Sequence, residues 1–369
     1  MSRPLTVVQL LPALASGGVE RSTLEINRAL VDAGHRSVAI SAGGRLVDVL
    51  TADGGTHVTL DIGRKSLATP FRIPALRRAL REIQPDIVHV RSRLPAWLAR
   101  AALSGWPGQA PKIVSTVHGL NSVNRYSAIM LQAQRVICVS DCVMQYLLRH
   151  YPQAARRDLR VIPRGFDPAQ FPPRPADPAW RAGLDAEFPI LAHRRLLLLP
   201  ARGTRLKGHD VALRLCARLA EAGDNVGLLL AGVDQPSRQT YLAELKALSR
   251  QLGVSDRVVF SVSRDDLPAC YAASDLVLQL STKPEAFGRT ALEALAMQRP
   301  VLGFAHGGVG DLLAALYPAG AVAAGDEQAL LVTARKLLQS PPPMSTFDGF
   351  RVADMQHATL ALYEELGDG

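Results

Sequence analysis

Short apolar runs alternate with amphipathic segments along most of the chain. This alternation is typical of βαβ units, in which buried parallel strands are separated by helices packed on the sheet. In the first part of the chain, the runs predicted as strands are Leu5–Leu11, Ser37–Ser41, His57–Leu60, Ile87–Val90, Ile113–Thr116, Val136–Val139 and Arg160–Ile162. The segments predicted as helices between them are Gly18–Ala33, Ile73–Ile83, Pro95–Leu103, Ser127–Gln134 and Asp141–His150.

A proline-rich stretch from Pro163 to Pro175 interrupts the alternation, which then begins again. Such a stretch cannot continue a sheet, so we interpret it as an interdomain linker. Beyond it, the predicted strands are Leu196–Pro200, Val226–Ala231, Arg257–Val262, Leu276–Leu280 and Pro300–Phe304. The predicted helices are Asp210–Ala222, Gln239–Leu252, Pro268–Ser274, Arg289–Ala296, Glu327–Leu338 and, after a second proline-rich break, Phe350–Leu366.

The length agrees with this division into two parts. A single core rarely exceeds ~250–300 residues, and this chain has 369. We expect an α/β protein of two doubly wound, Rossmann-like domains, 1–170 and 171–349, that face a deep cleft. In open parallel sheets, ligands bind at the carboxyl ends of the strands, so the loops that face the cleft are the candidates for chemistry.

The composition excludes several other classes of protein. With 48% hydrophobic and 5% aromatic residues, the chain is neither disordered nor an aromatic-rich β-sandwich. No segment approaches the ~18 uncharged apolar residues of a membrane span. The segment Leu5–Ala15 has some features of a secretory signal, but Gln9 and Pro12 interrupt it. We therefore predict a buried first strand there, with a cleaved signal as the alternative.

The charge balance points to anionic partners. Lys and Arg number 42 against 33 Asp and Glu, a formal net charge of +9. Such an excess favours phosphorylated ligands, an acidic membrane surface or nucleic acid, although an arginine-rich composition alone is the other explanation. No aromatic platform or recognition motif accompanies the charge, so we do not expect nucleic-acid binding. The four scattered cysteines are typical of reduced thiols in a cytoplasmic protein.

The strongest candidate site follows the predicted strand Leu276–Leu280. Here Glu285, Phe287 and Gly288 precede a predicted helix that contains Arg289, Thr290 and Glu293. A glycine allows close approach of the backbone to a ligand, and the free amides at a helix N-terminus bind phosphate. Each glutamate alone is equally typical of an ordinary surface charge, but both acids around one such loop favour a functional site.

A second candidate loop follows the first strand of the second domain. It contains Arg202 and Lys207, which can converge on one anionic group. Arginine offers a planar fork to phosphate oxygens, and lysine a point charge. Two basic residues in one loop are more often merely solvated. Opposite the helix that begins at Gly288, however, they would hold a diphosphate.

With these two motifs, the chain resembles the retaining nucleotide-sugar glycosyltransferases of family 4, which have the GT-B fold. The resemblance covers nearly the whole chain, because further short motifs follow in the order and spacing of the family. These motifs are Ser16–Arg21, Pro85–His89, Thr116–Gly119, Val139–Ser140, Val161–Asp167, Ala273–Leu276 and Gly307–Asp311. The stretches Val90–Trp97 and Tyr126–Met130 resemble a subgroup that builds lipopolysaccharide cores.

The resemblance implies a role for each candidate residue. The catalytic residues would be His118, Arg202, Lys207 and Glu285, with Arg202 and Lys207 offsetting the charge on the leaving diphosphate. The donor-binding residues would be Gly17, Gly18, Arg202, Lys207, Arg264, Glu285, Phe287, Gly288, Arg289, Thr290 and Glu293, with Glu293 on the ribose and Arg264 near the base. The acceptor-binding residues would be Arg91, Arg93 and Tyr126. The last helix, 350–369, would pack back on the first domain.

The same resemblance implies transfer with retained anomeric configuration from a UDP- or GDP-linked sugar to an anionic glycan or glycolipid. It implies no other cofactor. No Asp-x-Asp occurs, so we expect no metal on the diphosphate. The chain departs from the pattern at Arg164, Ala201 and Asp311, where the family often has Asn, Gly and Glu. These departures leave the sugar and the acceptor open.

We expect a cytoplasmic enzyme of envelope polysaccharide synthesis that also contacts the inner membrane peripherally. Arg72, Arg77, Arg78 and Arg81 recur at helical spacing and would form either a solvated face or a patch on anionic lipid. The alternatives are a nucleotide-sugar epimerase of similar fold and a non-catalytic sugar- or polyanion-binding protein. A Rossmann dehydrogenase is disfavoured, because no Gly-x-Gly-x-x-Gly follows the first strand.

Overall fold

The computed structural model describes residues 3–15, 17–67 and 69–367. The chain divides into two compact units. The first unit consists of two segments, one that ends at Gly165 and one that begins at Phe350. The second unit is Phe166–Gly349. Ser16, the first residue of one family motif, lies outside the described residues.

Strands and helices alternate as the apolar pattern predicts. The strands are β1 (Thr6–Leu10), β2 (Arg36–Ser41), β3 (Thr56–Thr59), β4 (Ile87–Val90), β5 (Lys112–Val117), β6 (Arg135–Cys138), β7 (Leu159–Val161), β8 (Arg195–Pro200), β9 (Val226–Ala231), β10 (Val258–Ser261), β11 (Leu276–Gln279), β12 (Val301–Phe304) and β13 (Ala321–Val322). The helices are α1 (Gly18–Asp32), α2 (Val47–Ala52), α3 (Arg72–Ile83), α4 (Arg93–Leu103), α5 (Asp141–His150), α6 (Pro178–Glu187), α7 (His209–Glu221), α8 (Gln239–Gln251), α9 (Leu267–Ala273), α10 (Arg289–Ala296), α11 (Gly307–Leu316), α12 (Glu327–Gln339) and α13 (Val352–Gly367).

Each unit contains one parallel sheet, which confirms the predicted fold class. The first sheet has the order β3-β2-β1-β4-β5-β6-β7, and the second has the order β10-β9-β8-β11-β12-β13. In both sheets the strand order reverses beside the first strand of the unit. At the first reversal Gln9 of β1 is paired with His89 of β4, and at the second Val277 of β11 is paired with Leu198 of β8. Such a reversal opens a crevice at the carboxyl ends of the strands.

The apolar runs are buried because helices cover both faces of each sheet. Leu196, Leu197 and Leu198 of β8 are fully buried, and each such side chain stabilises the fold by about 1.5–3 kcal/mol. In the first unit, α13 packs on α1 and completes one core cluster. That cluster consists of Leu5, Val7, Ile26, Leu30, Ile87, Val114, Ile137, Ile162, Met355, Leu362, Tyr363 and Leu366.

Sequence patterns missed three helices, and one predicted helix has a different form. The segments α2, α6 and α11 were not predicted, and Ser127–Gln132 forms 3₁₀ turns. Helix α11 begins with Gly307 and Gly308, whose low helix propensity hides it. Close packing requires both glycines, because added Cβ atoms would overlap the backbone of residues 285–287. The start of α6 does carry an ordinary helix signal, because Asp177 accepts a hydrogen bond from the amide of Ala179 and Pro178 is the first residue of the helix.

The predicted face of four arginines on α3 is only partly open to solvent. Arg72 pairs with Asp61 at 3.0 Å, and Arg77 donates to the carbonyl oxygens of Ala101, Ala102 and Ser104. These two side chains therefore bind the protein itself. Within residues 3–15, 17–67 and 69–367, no helix is both long and apolar enough to cross a bilayer.

Candidate active site

Two loops at the carboxyl edge of the second sheet lie against each other. The first follows β8 and ends at Gly208, whose φ of 70° is left-handed. The second follows β11, and Thr282 of this loop donates its amide to the carbonyl oxygen of Leu206 at 2.9 Å. A Cβ atom on Gly208 would overlap the carbonyl oxygen of Leu280. The glycine thus permits the close approach that joins the two loops.

Lys207 and Glu285 form an ion pair across this junction. Lys207 Nζ lies 2.6 Å from Glu285 Oε1, and the two side chains are 25% and 22% exposed. Ser281 also donates its hydroxyl to Glu285 Oε1. The pair is therefore positioned by the protein yet accessible to a ligand, as a substrate-binding pair must be.

Two helix N-termini adjoin this ion pair. Gly288, with φ of 100°, precedes α10, and His306 precedes α11. The amide of Gly308 donates to the carbonyl oxygen of Glu285 at 2.7 Å, which ties the start of α11 to the loop before α10. Within the described residues, neither helix start is capped by the side chain of its N-cap residue. Amides and helix dipoles at such ends attract phosphate oxygens.

The structure places Glu293 beneath the loop rather than on its surface. Its side chain is 2% exposed. Arg289 Nε donates to one carboxylate oxygen at 3.0 Å, and the hydroxyl of Tyr271 donates to the other at 3.0 Å. We expected this carboxylate to accept bonds from a ribose. In the structure it accepts hydrogen bonds from Arg289 and Tyr271, and a bond from a ribose stays a prediction.

Other side chains fix the start of α10 from below. Gln279 donates to the hydroxyl of Thr290 at 3.2 Å, and Phe287 is buried. His306 Nε2 lies 2.8 Å from the carbonyl oxygen of Ser281. Sequence reasoning missed Ser281 and His306. Their positions directly after a buried strand, at the carboxyl edge of the sheet, were the available signal.

The other two basic residues assigned to the donor are Arg202 and Arg264. The side chain of Arg202 is exposed and has no hydrogen-bond or ion-pair partner among the residues described, and its convergence with Lys207 on one anion stays a prediction. Arg264 binds Asp266 at 2.8 Å and Glu187 at 3.1 Å, and its guanidinium lies 5.9 Å from the ring centre of Trp180. Hydrogen bonding to Asp266 raises the pKa of Arg264. Its charge is therefore already neutralised within the protein, and a place beside a nucleotide base stays a prediction.

In the first unit, the side chain of Arg91 is buried. Its side chain is 3% exposed, with Nε donating to Gln9 at 2.8 Å and Nη1 to Ser22 at 3.0 Å. Burial lowers the pKa of Arg91 to about 10. Residues of β1 and α1 therefore hold this side chain in place, and acceptor binding by Arg91 stays a prediction.

His118 follows β5 and contacts Arg164, which follows β7. Arg164 Nη2 donates to His118 Nδ1, and Nη1 contacts the sulfur of Met355 at 3.4 Å. Burial, followed by the charges of Arg164 and Arg91, lowers the pKa of His118 well below 6.5. The imidazole is therefore neutral at physiological pH.

Arg93 and Tyr126 do lie together. Arg93 donates to Ser127 at 3.2 Å, and its guanidinium carbon is 5.5 Å from the ring centre of Tyr126. Lys65 Nζ lies 3.9 Å from the same ring centre, and Trp97 stacks on Tyr126 at 6.5 Å with an interplanar angle of 9°. This group joins an aromatic surface to two cations.

The glycines after β1 form a tight turn at the start of α1. Gly17 has φ of 137°, and a Cβ atom there would lie 2.6 Å from Glu20 Oε2. Gly18 has open space where a side chain would be. Both features are compatible with a loop that a ligand approaches.

Two parallel Rossmann-like sheets, one in each unit, are the architecture of the GT-B fold. The model of Glycosyltransferase Family 4 matches residues 16–170, and that of Glycosyl transferases group 1 matches residues 185–348. The chain belongs to the family-4 type of GT-B glycosyltransferases.

Curated relatives match part of the chain. A mannosylfructose-phosphate synthase of Agrobacterium fabrum is 29% identical to this chain, in an alignment that covers 60% of this chain and 49% of the length of the synthase. A D-inositol 3-phosphate glycosyltransferase of Salinispora tropica is 35% identical, in an alignment that covers 49% of this chain and 39% of the length of that relative. The chain thus spans about half the length, or less, of these two relatives.

Solved structures match nearly the whole chain. A glycosyltransferase of Rickettsia africae ESF-5 has a TM-score of 0.81 at 27% identity and covers 98% of both chains. Anabaena Alr3699/HepE, in complex with UDP-glucose, has a TM-score of 0.83 at 19% identity over 98% of this chain and all of its own. WaaG, a glycosyltransferase involved in lipopolysaccharide biosynthesis, has a TM-score of 0.68 at 21% identity over 98% of each chain. The last two show the fold alone.

Proposed function

We propose that this protein transfers a sugar from a nucleotide-sugar donor to a glycan or lipid-linked acceptor, with retention of the anomeric configuration. The observation that carries the proposal is the Lys207–Glu285 pair beside the N-termini of α10 and α11. A cation and helix amides suit a diphosphate, whereas a carboxylate suits sugar hydroxyls. Lys207, Glu285 and the N-terminus of α10 all belong to the pair of loops that follow β8 and β11.

Each group has a role in this reaction. Lys207 and the amides at Gly288 and Thr290 would bind the diphosphate and stabilise the negative charge that grows as the glycosidic bond breaks. Glu285 would accept hydrogen bonds from the donor sugar. Arg202, exposed on the same loop as Lys207, would reach the diphosphate when the donor binds.

Retention in this proposal follows from attack on the same face of the sugar that the leaving group departs from. The departing phosphate oxygen would take the proton of the acceptor hydroxyl. Lys207 and the helix amides would supply the positive charge that a divalent metal provides elsewhere. Chelator-treated enzyme is therefore expected to keep its activity, and a loss restored by Mn²⁺ would contradict this part of the proposal.

We propose a UDP- or GDP-linked donor and an anionic acceptor in lipopolysaccharide core or envelope polysaccharide synthesis. The UDP-glucose complex of HepE supports the donor class, and the fold shared with WaaG supports the pathway. Two relatives have phosphorylated compounds in their names, mannosylfructose phosphate and D-inositol 3-phosphate, which supports an anionic acceptor. A cytoplasmic location, with peripheral contact to the inner membrane, belongs to the same proposal.

The test is a calorimetric binding screen of UDP-, GDP- and ADP-sugars, followed by turnover assays with truncated core lipids. Saturable binding of one donor and acceptor-dependent release of its nucleotide are expected. Conversion of the donor to an isomer without acceptor would instead establish an epimerase. Binding of sugar polymers without any nucleotide binding would establish a non-catalytic protein.

A further inference from the structure

A buried group of basic side chains lies at the carboxyl edge of the first sheet. It consists of His89 and Arg91 at the end of β4, His118 after β5, and Arg164 after β7. We call these four residues the basic cluster. His89 and Arg91 are 1% and 3% exposed, and Arg164 is 9% exposed. A charge buried to this extent is costly unless another group neutralises it.

The charge of Arg91 is only partly offset by the groups around it. Its Nε and Nη1 donate to neutral oxygens, those of Gln9 and Ser22. Glu25 is the carboxylate that attracts Arg91, and it raises the pKa of Arg91 less than burial lowers it. Burial lowers the pKa of His89 and of His118, and the charges of Arg91 and Arg164 each lower both pKa values further.

The hydrogen-bonding pattern fixes the tautomer of His118. A guanidinium can only donate, so the bond from Arg164 requires that His118 Nδ1 accepts. In a neutral imidazole the proton must then be on Nε2. His118 Nε2 is buried and has no partner among the residues that the structure describes. The cluster therefore presents an unused N–H donor.

Arg91 presents a second unused donor. Its Nη2 is likewise buried and unpartnered within the described part of the chain. Both unused groups are donors, so the complementary ligand carries acceptor oxygens only, which is the character of a carboxylate or phosphate. His118 is only half-buried and Gly119 has open space where a side chain would be, so a ligand would approach the cluster from this side.

We propose that Arg91, Arg164 and His118 bind a carboxylate or phosphate group carried by one of the two substrates. This inference rests on the proposed function, because it assigns the anion to a substrate of that reaction. Arg164 is the specificity-determining residue. It stands where the resembled family often has asparagine, and an amide would supply neither the charge nor the guanidinium donors.

The direct test follows the imidazole of His118 by NMR in the full-length protein with ¹⁵N-labelled histidine, its signals assigned with His118→Gln. The probes are inorganic phosphate and glucuronate, titrated at constant ionic strength. A protonated Nε2, an unprotonated Nδ1 and a saturable shift with either probe are expected. A protonated Nδ1, or the lack of any saturable shift, would overturn the proposal.

Arg164→Asn is expected to weaken binding of these probes by at least ~10-fold, the scale of one charge-assisted contact. Arg164→Lys keeps the charge and should bind with intermediate affinity. The matched control is Arg160→Asn, which removes an exposed arginine of β7 paired with Asp158 and should bind as the wild type does. Equal affinity in Arg164→Asn and Arg160→Asn would refute the site. If Arg164→Asn does not fold, Arg164→Lys takes its place in the test. Equal affinity in Arg164→Lys and wild type would then refute the site.

Two further arms identify the source of the anion and separate this inference from the proposed function. If the donor carries the anion, UDP-glucuronate binds wild type more tightly than UDP-glucose, and Arg164→Asn abolishes the difference. If the acceptor carries it, the two donors bind equally and phosphate still binds when UDP is present. Binding of phosphate at His118 without binding of any nucleotide would refute the donor proposal while leaving the anion site. Nucleotide binding with no response at His118 would refute the anion site and leave the donor proposal in place.

Discussion

Lys207 Nζ lies 2.6 Å from Glu285 Oε1, although 78 positions separate the two residues in the chain. Their strands, β8 and β11, are neighbours in the sheet only because the strand order reverses there. Each residue partly neutralises the other, so the site is assembled before a donor arrives. A diphosphate would compete with Glu285 for the ammonium group and leave the carboxylate to the sugar.

Lys207→Ala is expected to lower turnover at least ~100-fold, the scale of one transition-state contact. The loss should appear in kcat as well as in donor affinity, because Lys207 also stabilises the leaving diphosphate. Steady-state kinetics with the donor identified by the binding screen measures both. Lys246→Ala, which removes an exposed lysine of α8, is the control and should behave as the wild type. Near-normal turnover in Lys207→Ala would remove Lys207 from the active site.

Gly288→Ala is expected to reduce both donor binding and stability. The backbone at Gly288 is left-handed, and a Cβ atom would lie 2.7 Å from Val309 Cγ2. A strained backbone costs about 1–3 kcal/mol, and the clash would add to it by moving the start of α10 away from α11. Gly253→Ala is the control, since Gly253 is also left-handed but has nothing within 4 Å of its Cβ position. Urea unfolding should rank Gly288→Ala as the less stable variant, and the opposite order would contradict the packing argument.

Tyr271→Phe tests whether Glu293 is a structural support. The change removes the hydroxyl that donates to Glu293 at 3.0 Å and leaves the ring in place. A lost hydrogen bond to a charged group costs about 1.5–3 kcal/mol of the free energy of unfolding. The hydroxyl of Tyr317 is buried without a partner in the described part of the chain, so Tyr317→Phe should cost less or stabilise the protein. Equal losses in the two variants would show that Glu293 does not depend on Tyr271.

The buried imidazole of His209 makes stability depend on pH. Burial lowers the pKa of His209 from 6.5 to about 4 in the folded state. The unfolded chain therefore takes up a proton first as the pH falls, and this contribution to stability is present above about pH 6.5 and lost towards about pH 4. Urea unfolding at several pH values should show a shallower decline over this interval in His209→Asn than in wild type. An exposed-site control, His357→Asn, should keep the wild-type slope.

The local sequence pattern predicted much of the fold and part of the candidate site. Fully apolar runs such as Leu196–Leu199 identified buried strands, because a strand covered on both faces cannot tolerate polar side chains. Glycine before an amphipathic run placed the start of α10 at the correct residue. The loops after β8 and β11 could be predicted as candidate sites for the same reason, since the signals for the end of a strand and the start of a helix are local in sequence.

Tertiary structure decided which polar groups meet. Nothing near Arg91 in the sequence shows that Gln9 and Ser22 enclose its guanidinium, and nothing near Glu293 shows Tyr271 beneath it. Sequence periodicity tells which side of an element is apolar, but whether a charge on it is exposed depends on the elements that pack there. The partners of Lys207, Arg91 and Glu293 were therefore fixed by strand order and helix packing, which bring distant parts of the chain into contact.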